Sequence, residues 1–294
     1  MNVFTKIKNR LARNVSLFKH GLSSTTQKEN FTRDEIKAIA EYRKTIKVYD
    51  AFIFFNELET LEIRLNILDP YVDLFVIVEC TETFSGLPKK LYFKENAELF
   101  EKFRHKIIHY VIDDSPQFQD FWSRESFQRE SIKKALVGLN DNDFCYISDL
   151  DEIWNPHTIV DYRIDTVYKF HQKMYAYYLN NRSSEKWAGT FATSYRRIKN
   201  DCLNDMRDAA KTTYTYIHNG GWHFTNQGGV ERIKTKVESY SHSEFNTSEI
   251  KDNVDKKMRE NKDFVGRKFR FWIDESDLPE YLLSHKEKYR AFFR

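Results

Sequence analysis

Apolar residues along this chain gather into short dense runs separated by longer amphipathic stretches. A polar stretch (21–30) and a short helical piece to about Lys44 come first. "KVYDAFIFF" (47–55) is β-branched and aromatic, which predicts a buried strand. In "NELETLEIRLNILD" (56–69), Leu58, Leu61, Leu65 and Leu68 recur on one helical stripe, and Asn56 with Glu59 fits a capping box. "DLFVIVE" (73–79) predicts a second strand, "AELFEKFR" (97–104) a helix and "KIIHYVI" (106–112) a third strand. A long amphipathic helix (121–139) then precedes a fourth strand, "DFCYIS" (143–148). Strand and helix alternating in this way define a doubly wound, mostly parallel α/β sheet, in which ligands bind beyond the carboxyl ends of the strands.

The second half changes period. Residues 166–181 and 186–195 predict strands rich in Tyr and Trp, antiparallel to one another, and "YTYIHNGGWHFTNQGG" (214–229) gives strand, glycine turn, strand, glycine turn. Residues 230–241 and 247–261 are helical in pattern, and a basic, aromatic tail follows. The expected division is a leader (1–45), a catalytic domain (46–245) and a helical tail packed on it (246–294).

Composition narrows the class. The chain of 294 residues is 31% charged and 16% aromatic, which excludes a disordered polymer. Its net charge of +3 does not argue for nucleic acid. Cys80, Cys145 and Cys202 show no C-x-x-C spacing, against zinc knuckles and a disulfide framework. No apolar run reaches the length of a bilayer span, and residues 1–23 lack the features of a secretory signal. Those residues do alternate apolar positions (Val3, Phe4, Ile7, Leu11, Val15, Phe18) with Lys6, Lys8, Arg10, Arg13 and Lys19. That pattern fits an amphipathic helix on an anionic membrane surface, or a helix docked on the domain. The expected location is cytoplasmic, or peripheral on the cytoplasmic membrane face.

Candidate chemistry centres on "YISDLDEIW" (146–154), at the end of the fourth strand. Asp149 and Asp151, two apart on an extended segment, point the same way and suit Mg²⁺ or Mn²⁺ held with substrate phosphates. The alternative is a solvated turn, and Asp-x-Asp occurs twice here, no more than chance supplies. His223 in "GGWHF" is a manganese ligand by chemistry, or a hydrogen-bonded core residue. His242 and Glu244 form a pair able to do acid–base work, or an ordinary polar helix end. The glycine turn in "NQGGVERI" (226–233) opens a helix that can receive a phosphate. Arg124, Arg129 and Arg207 are candidates for a diphosphate, with an Arg129–Glu125 surface pair as the plainer reading. Asn56, Glu57 and Glu79 also fall at strand ends.

Five segments in order, "VYDAFIFFNELETLEIRLNIL", "DLFVIVECTETFSGLPKKLYF", "FRHKIIHYVIDD", "FCYISDLDEIWNP" and "GGWHFTNQGG", resemble glycosyltransferase family 17 from about residue 47 to 245. The resemblance implies a GT-A type fold and inverting transfer of a sugar, GlcNAc first, from a UDP-sugar with Mn²⁺ (or Mg²⁺) to a glycan or glycolipid acceptor. It places the metal on Asp151, with Asp149 (or Asp149 on the donor ribose) and His223, and the donor among Asn56, Glu57, Glu79, Arg129, Asp149 and Arg207. The general base falls first on Glu244, then on Glu79 and Asp208. Trp122, Tyr175, Tyr178 and Trp187 are candidates to stack on sugar faces, or to be core.

The chain departs from the animal members of that family, which carry a membrane anchor and a long stem. This points to a soluble or peripherally attached enzyme of bacterial or viral type, acting on a lipid-linked or surface polysaccharide. Two other classes also fit strand-end carboxylates: a metal-dependent phosphohydrolase, and a non-catalytic carbohydrate- or membrane-binding module.

Overall fold

The computed structural model describes residues 24–28 and 30–294, so the amphipathic leader lies outside the described residues. Strands β2 (Val48–Phe54), β3 (Leu74–Cys80), β4 (Ile107–Ile112) and β5 (Phe144–Asp149) form the parallel centre of an eight-stranded sheet, in spatial order β4-β3-β2-β5. All seven residues of β2 are buried, as a strand covered on both faces requires. One face packs on the helix Leu58–Leu68 through Leu61, Leu65 and Leu68, and the other on Ile132, Ile198 and Met206.

Beyond β5 the sheet continues through β10 (Phe191–Ser194), β7 (Tyr168–Phe170), β11 (Thr215–Ile217) and the short β1 (Thr25–Thr26). A second sheet has the order β13-β9-β8-β12-β6, built from β6 (Glu152–Trp154), β8 (Gln172–Ala176), β9 (Asn181–Trp187), β12 (Gly221–Thr225) and β13 (Phe271–Ile273). The predicted antiparallel pairing is therefore partial. β8–β9 and β5–β10 are antiparallel, whereas β8–β12 and β7–β11 are parallel.

Several local expectations change for identifiable reasons. The helix Leu58–Leu68 starts after Glu57 with no side-chain cap, because the Glu57 carboxylate accepts the Asn56 N–H and Glu59 pairs with Arg232. A capping box does form at Thr32 and Glu35, ahead of the helix Arg33–Arg43. Residues 97–106 wind as 3₁₀ helix broken at Phe100, which sets Phe100 and Phe103 on the core side at a three-residue repeat. The long helix over 121–139 instead divides at Ser131, whose hydroxyl bonds the Phe127 carbonyl one turn back. Glu130, just before the break, turns away to cap the helix Leu203–Arg207 at Leu203 N–H and Asn204 N–H. Residues 246–294, expected as helical, give the helix Ser248–Arg259 and also the edge strand β13.

The strand–turn–strand of 214–229 is present, but its two strands separate into different sheets. Gly221 sits at that crossing with φ +135°, and a Cβ there would lie 2.1 Å from the Ile153 carbonyl oxygen. Only a residue without a side chain lets β12 approach β6 so closely.

Candidate active site

The chain turns immediately after β5, so Asp149 ends the strand while Leu150 and Asp151 form the turn into β6. Period-two alternation therefore does not carry from Asp149 to Asp151, and the two carboxylates take different partners. Asp149 accepts from Arg129 Nη2 at 2.8 Å and Arg207 Nη2 at 2.7 Å. Asp151 accepts from Lys236 Nζ at 2.8 Å and faces His223 Nε2 at 3.4 Å. Glu152 is fully buried, accepting from Trp187 Nε1 at 2.8 Å, Arg207 at 2.8 and 3.0 Å, and the Asp149 N–H at 3.0 Å. Asp151 and Glu152 are therefore buried rather than solvated, while Asp149 keeps a partly exposed side chain beside its two arginines.

One residue holds this turn from beneath. Arg64, on the helix Leu58–Leu68, is wholly buried and forms a two-pronged ion pair with Asp50 of β2, both bonds 2.7 Å. Its Nη1 donates to the backbone carbonyls of Asp149, Leu150 and Glu152 at 3.0–3.1 Å, and Nη2 to Ser148 Oγ at 2.7 Å. The guanidinium thus ties the end of β5 to the start of β6 through Ser148, Asp149, Leu150 and Glu152. Lys169, 3% exposed, supports the other side by donating to the carbonyls of Gly189 and Arg207 at 3.0 and 3.3 Å.

The electrostatics follow from these contacts. Burial raises the Asp151 carboxyl, but Lys236 and His223 outweigh it and hold it well below the usual range. Asp149 is likewise lowered against burial by Arg207 and Arg129. Burial depresses Lys236, and Asp151 more than restores it, leaving the ammonium above its ordinary value. Burial, then the Arg207 charge, brings the Lys169 amine down to about 7.

A cavity opens beside Asp151, lined by Asn56, Glu57, Gln227, Arg232 and Lys236. Strand-end residues Asn56 and Glu57 therefore do meet Asp151, as the topology predicts. Arg129 and Arg207 are both engaged by acids of the turn, Arg129 also by Glu125 at 3.1 Å, so their donors serve Asp149 and Glu152. Glu79 is fully buried, accepting from the Phe93 N–H at 3.0 Å and facing His109 Nε2 at 3.1 Å. Asp208 ends the helix Leu203–Arg207 and accepts the Ala210 N–H at 2.9 Å.

Glu244 sits beside His242 Nδ1 at 2.9 Å, and His242 packs edge-on against Trp122 at 4.6 Å. This group joins the acidic turn through Glu125, which binds both Ser241 Oγ and Arg129. Trp187 lies in the site, its ring 4.5 Å from that of His223. Tyr175 is core, its ring tilted against Phe224, and Tyr178 packs on a separate apolar cluster with Ile233 and Val237.

Among the described residues no three His, Cys, Asp or Glu side chains converge as a metal-ligand set, and Asp149, Asp151 and His223 do not do so. Asp151 and His223 alone remain adjacent. Arg64, Lys169, Arg232 and Lys236 belong to this site without lying in any motif that singles them out. A spacing signal existed only for Arg232 and Lys236, four apart after the Gly228-Gly229 turn.

A model of glycosyltransferase family 17 matches residues 12–266, and the chain belongs to that family. Among curated proteins, the β-1,4-mannosyl-glycoprotein 4-β-N-acetylglucosaminyltransferase of Rattus norvegicus is 31% identical over 115 residues, 36% of this chain and 21% of the rat protein. The enzyme of the same name from Homo sapiens is 31% identical over 115 residues, 36% of this chain and 22% of its own length. The chain thus spans about a fifth of the length of the curated relatives it matches. No helix among the described residues is long and apolar enough to cross a membrane.

Proposed function

We propose that this chain is an inverting glycosyltransferase of GT-A type that moves a sugar, GlcNAc first, from a UDP-sugar to a hydroxyl of a glycan or glycolipid acceptor. The observation that carries the reading is the cavity at the carboxyl ends of β2 and β5, where Asn56, Glu57 and Asp151 meet Gln227 and Lys236. Family membership supports the same class.

Asp151 and His223 offer two ligands that would hold a divalent cation together with the donor's phosphates. Asp151 Oδ1 and His223 Nε2, at 3.4 Å, are too far apart for a good hydrogen bond. They are near the roughly 3 Å between neighbouring ligands implied by octahedral bonds of about 2.1 Å. An oxygen and an imidazole nitrogen together suit Mn²⁺. When bound, the cation supplies charge neutralisation for the departing diphosphate. Trp187 packs at a tilt against His223 and ties to Glu152, which keeps the imidazole facing Asp151. Asn56 and Glu57 border the nucleotide, and Asp149 with Arg129 and Arg207 braces the turn rather than contacting donor.

Inversion requires one base to take the acceptor proton as its oxygen attacks the anomeric carbon. Glu244 is assigned that role, with Trp122, packed on its partner His242, offering an exposed ring for the acceptor sugar. Incubation with UDP-GlcNAc and Mn²⁺ should release UDP slowly, and Asp151→Ala should abolish the release. If wild-type protein neither binds nor hydrolyses any nucleotide sugar, with or without metal, the assignment fails.

A further inference from the structure

We propose that Arg232 and Lys236 are the diphosphate-binding pair of this site, latched in the present state onto protein carboxylates that the ligand displaces. This rests on the nucleotide-sugar reading above. Both residues lie on the helix Val230–Ser239, four apart and so on one face. Arg232 grips Glu59 through two parallel bonds of 2.7 Å, and Lys236 binds Asp151 at 2.8 Å. The helix is therefore clasped at two points across the mouth of the cavity it lines.

The cavity behind this clasp is about 20 Å³, room for one water. Sites that enclose a ligand of nucleotide size run to roughly 300–1,000 Å³. A diphosphate that engages both cations must displace Glu59 from Arg232 and Asp151 from Lys236. The chain leading into the helix is built for that. Gly228 and Gly229 both have positive φ, near +88°, and a Cβ on Gly229 would meet nothing within 4 Å. At Gly228 a Cβ would lie 2.4 Å from Arg232 Cδ, so the bare backbone there is what lets Arg232 fold over it. Gln227, in the same wall, has a buried Oε1 with no hydrogen-bond partner.

Phosphate oxygens accept a guanidinium fork with the same geometry as a carboxylate, so a diphosphate can replace Glu59 on Arg232 and Asp151 on Lys236 without altering either cation. Release of Asp151 also frees the oxygen that Lys236 now covers. Diphosphate and divalent cation should therefore reinforce each other's binding.

Calorimetric titration of UDP and of uridine in Mn²⁺ tests this on the full chain and on two variants at partly exposed positions, Arg232→Gln and Glu59→Gln. Arg232→Gln should weaken UDP about tenfold, the loss of one bidentate phosphate contact, and leave uridine unchanged. Glu59→Gln should tighten UDP several-fold, because it removes the competing carboxylate and keeps the cation. Equal UDP affinity in all three proteins, or weakening by Glu59→Gln to match Arg232→Gln, overturns the latch while leaving the functional reading standing. No UDP binding by the wild type, with or without Mn²⁺, overturns the functional reading and the latch with it.

Discussion

Removing Arg64 should be strongly destabilising. In Arg64→Met the volume is nearly kept, so the loss is electrostatic rather than a cavity. Asp50, wholly buried, keeps only the Trp154 Nε1 bond at 3.0 Å, and three turn carbonyls lose a donor. Leaving one partner of a buried ion pair uncompensated costs about 3–5 kcal/mol. The stranded carbonyls add roughly 1 kcal/mol or more between them. Against a total stability of about 5–15 kcal/mol, that takes away a large fraction. Urea denaturation followed by tryptophan fluorescence should show the midpoint fall by about 1 M or more, for a slope near 3 kcal/mol/M. Arg64→Met combined with Asp50→Asn should recover part of the loss, since the amide is neutral and its oxygen can still accept from Trp154. A single variant within about 1 kcal/mol of wild type, or a double variant no better than the single, would refute the reasoning.

Other consequences follow from named contacts. Gly221→Ala places a methyl 2.1 Å from the Ile153 oxygen at φ +135°, so it should lose at least about 2 kcal/mol in the same denaturation assay and weaken Mn²⁺ binding by shifting His223. Lys169 holds its proton less tightly folded than unfolded, so the cost of burying its charge is full below pH 7 and fades as pH rises from about 7 toward its ordinary value. The urea midpoint of wild type should therefore climb relative to Lys169→Met between pH 6.5 and 9, and parallel profiles would count against it. Glu244→Gln should lower kcat by about 10² or more while leaving UDP affinity unchanged, measured by UDP release and calorimetry.

Much of the architecture was legible because its signals are local. β2, β3, β4 and β5 lie within a residue or two of the apolar runs that announce them, since strands of a covered parallel sheet are largely apolar, and even the half-buried edge strand β4 keeps that pattern. Alternation with helices then implied a parallel sheet, and the sheet implied that Asn56, Glu57 and Asp151 would meet at one end, as they do. Element boundaries failed where a side chain is used elsewhere. Ser131 bonds back to Phe127, Glu130 caps another helix, and Glu59 serves Arg232 instead of a capping box.

What the sequence by itself determined is the order of elements, the end of the sheet that carries the site, and family membership through its five ordered segments. Tertiary structure alone decided which charges neutralise which. Asp149 and Asp151 are two residues apart, yet Arg129 and Arg207 take one while Lys236 and His223 take the other. Arg64, 85 residues before Asp149, carries the turn. Ion pairing depends on three-dimensional distance and burial, which sequence spacing constrains only within a single helix or strand.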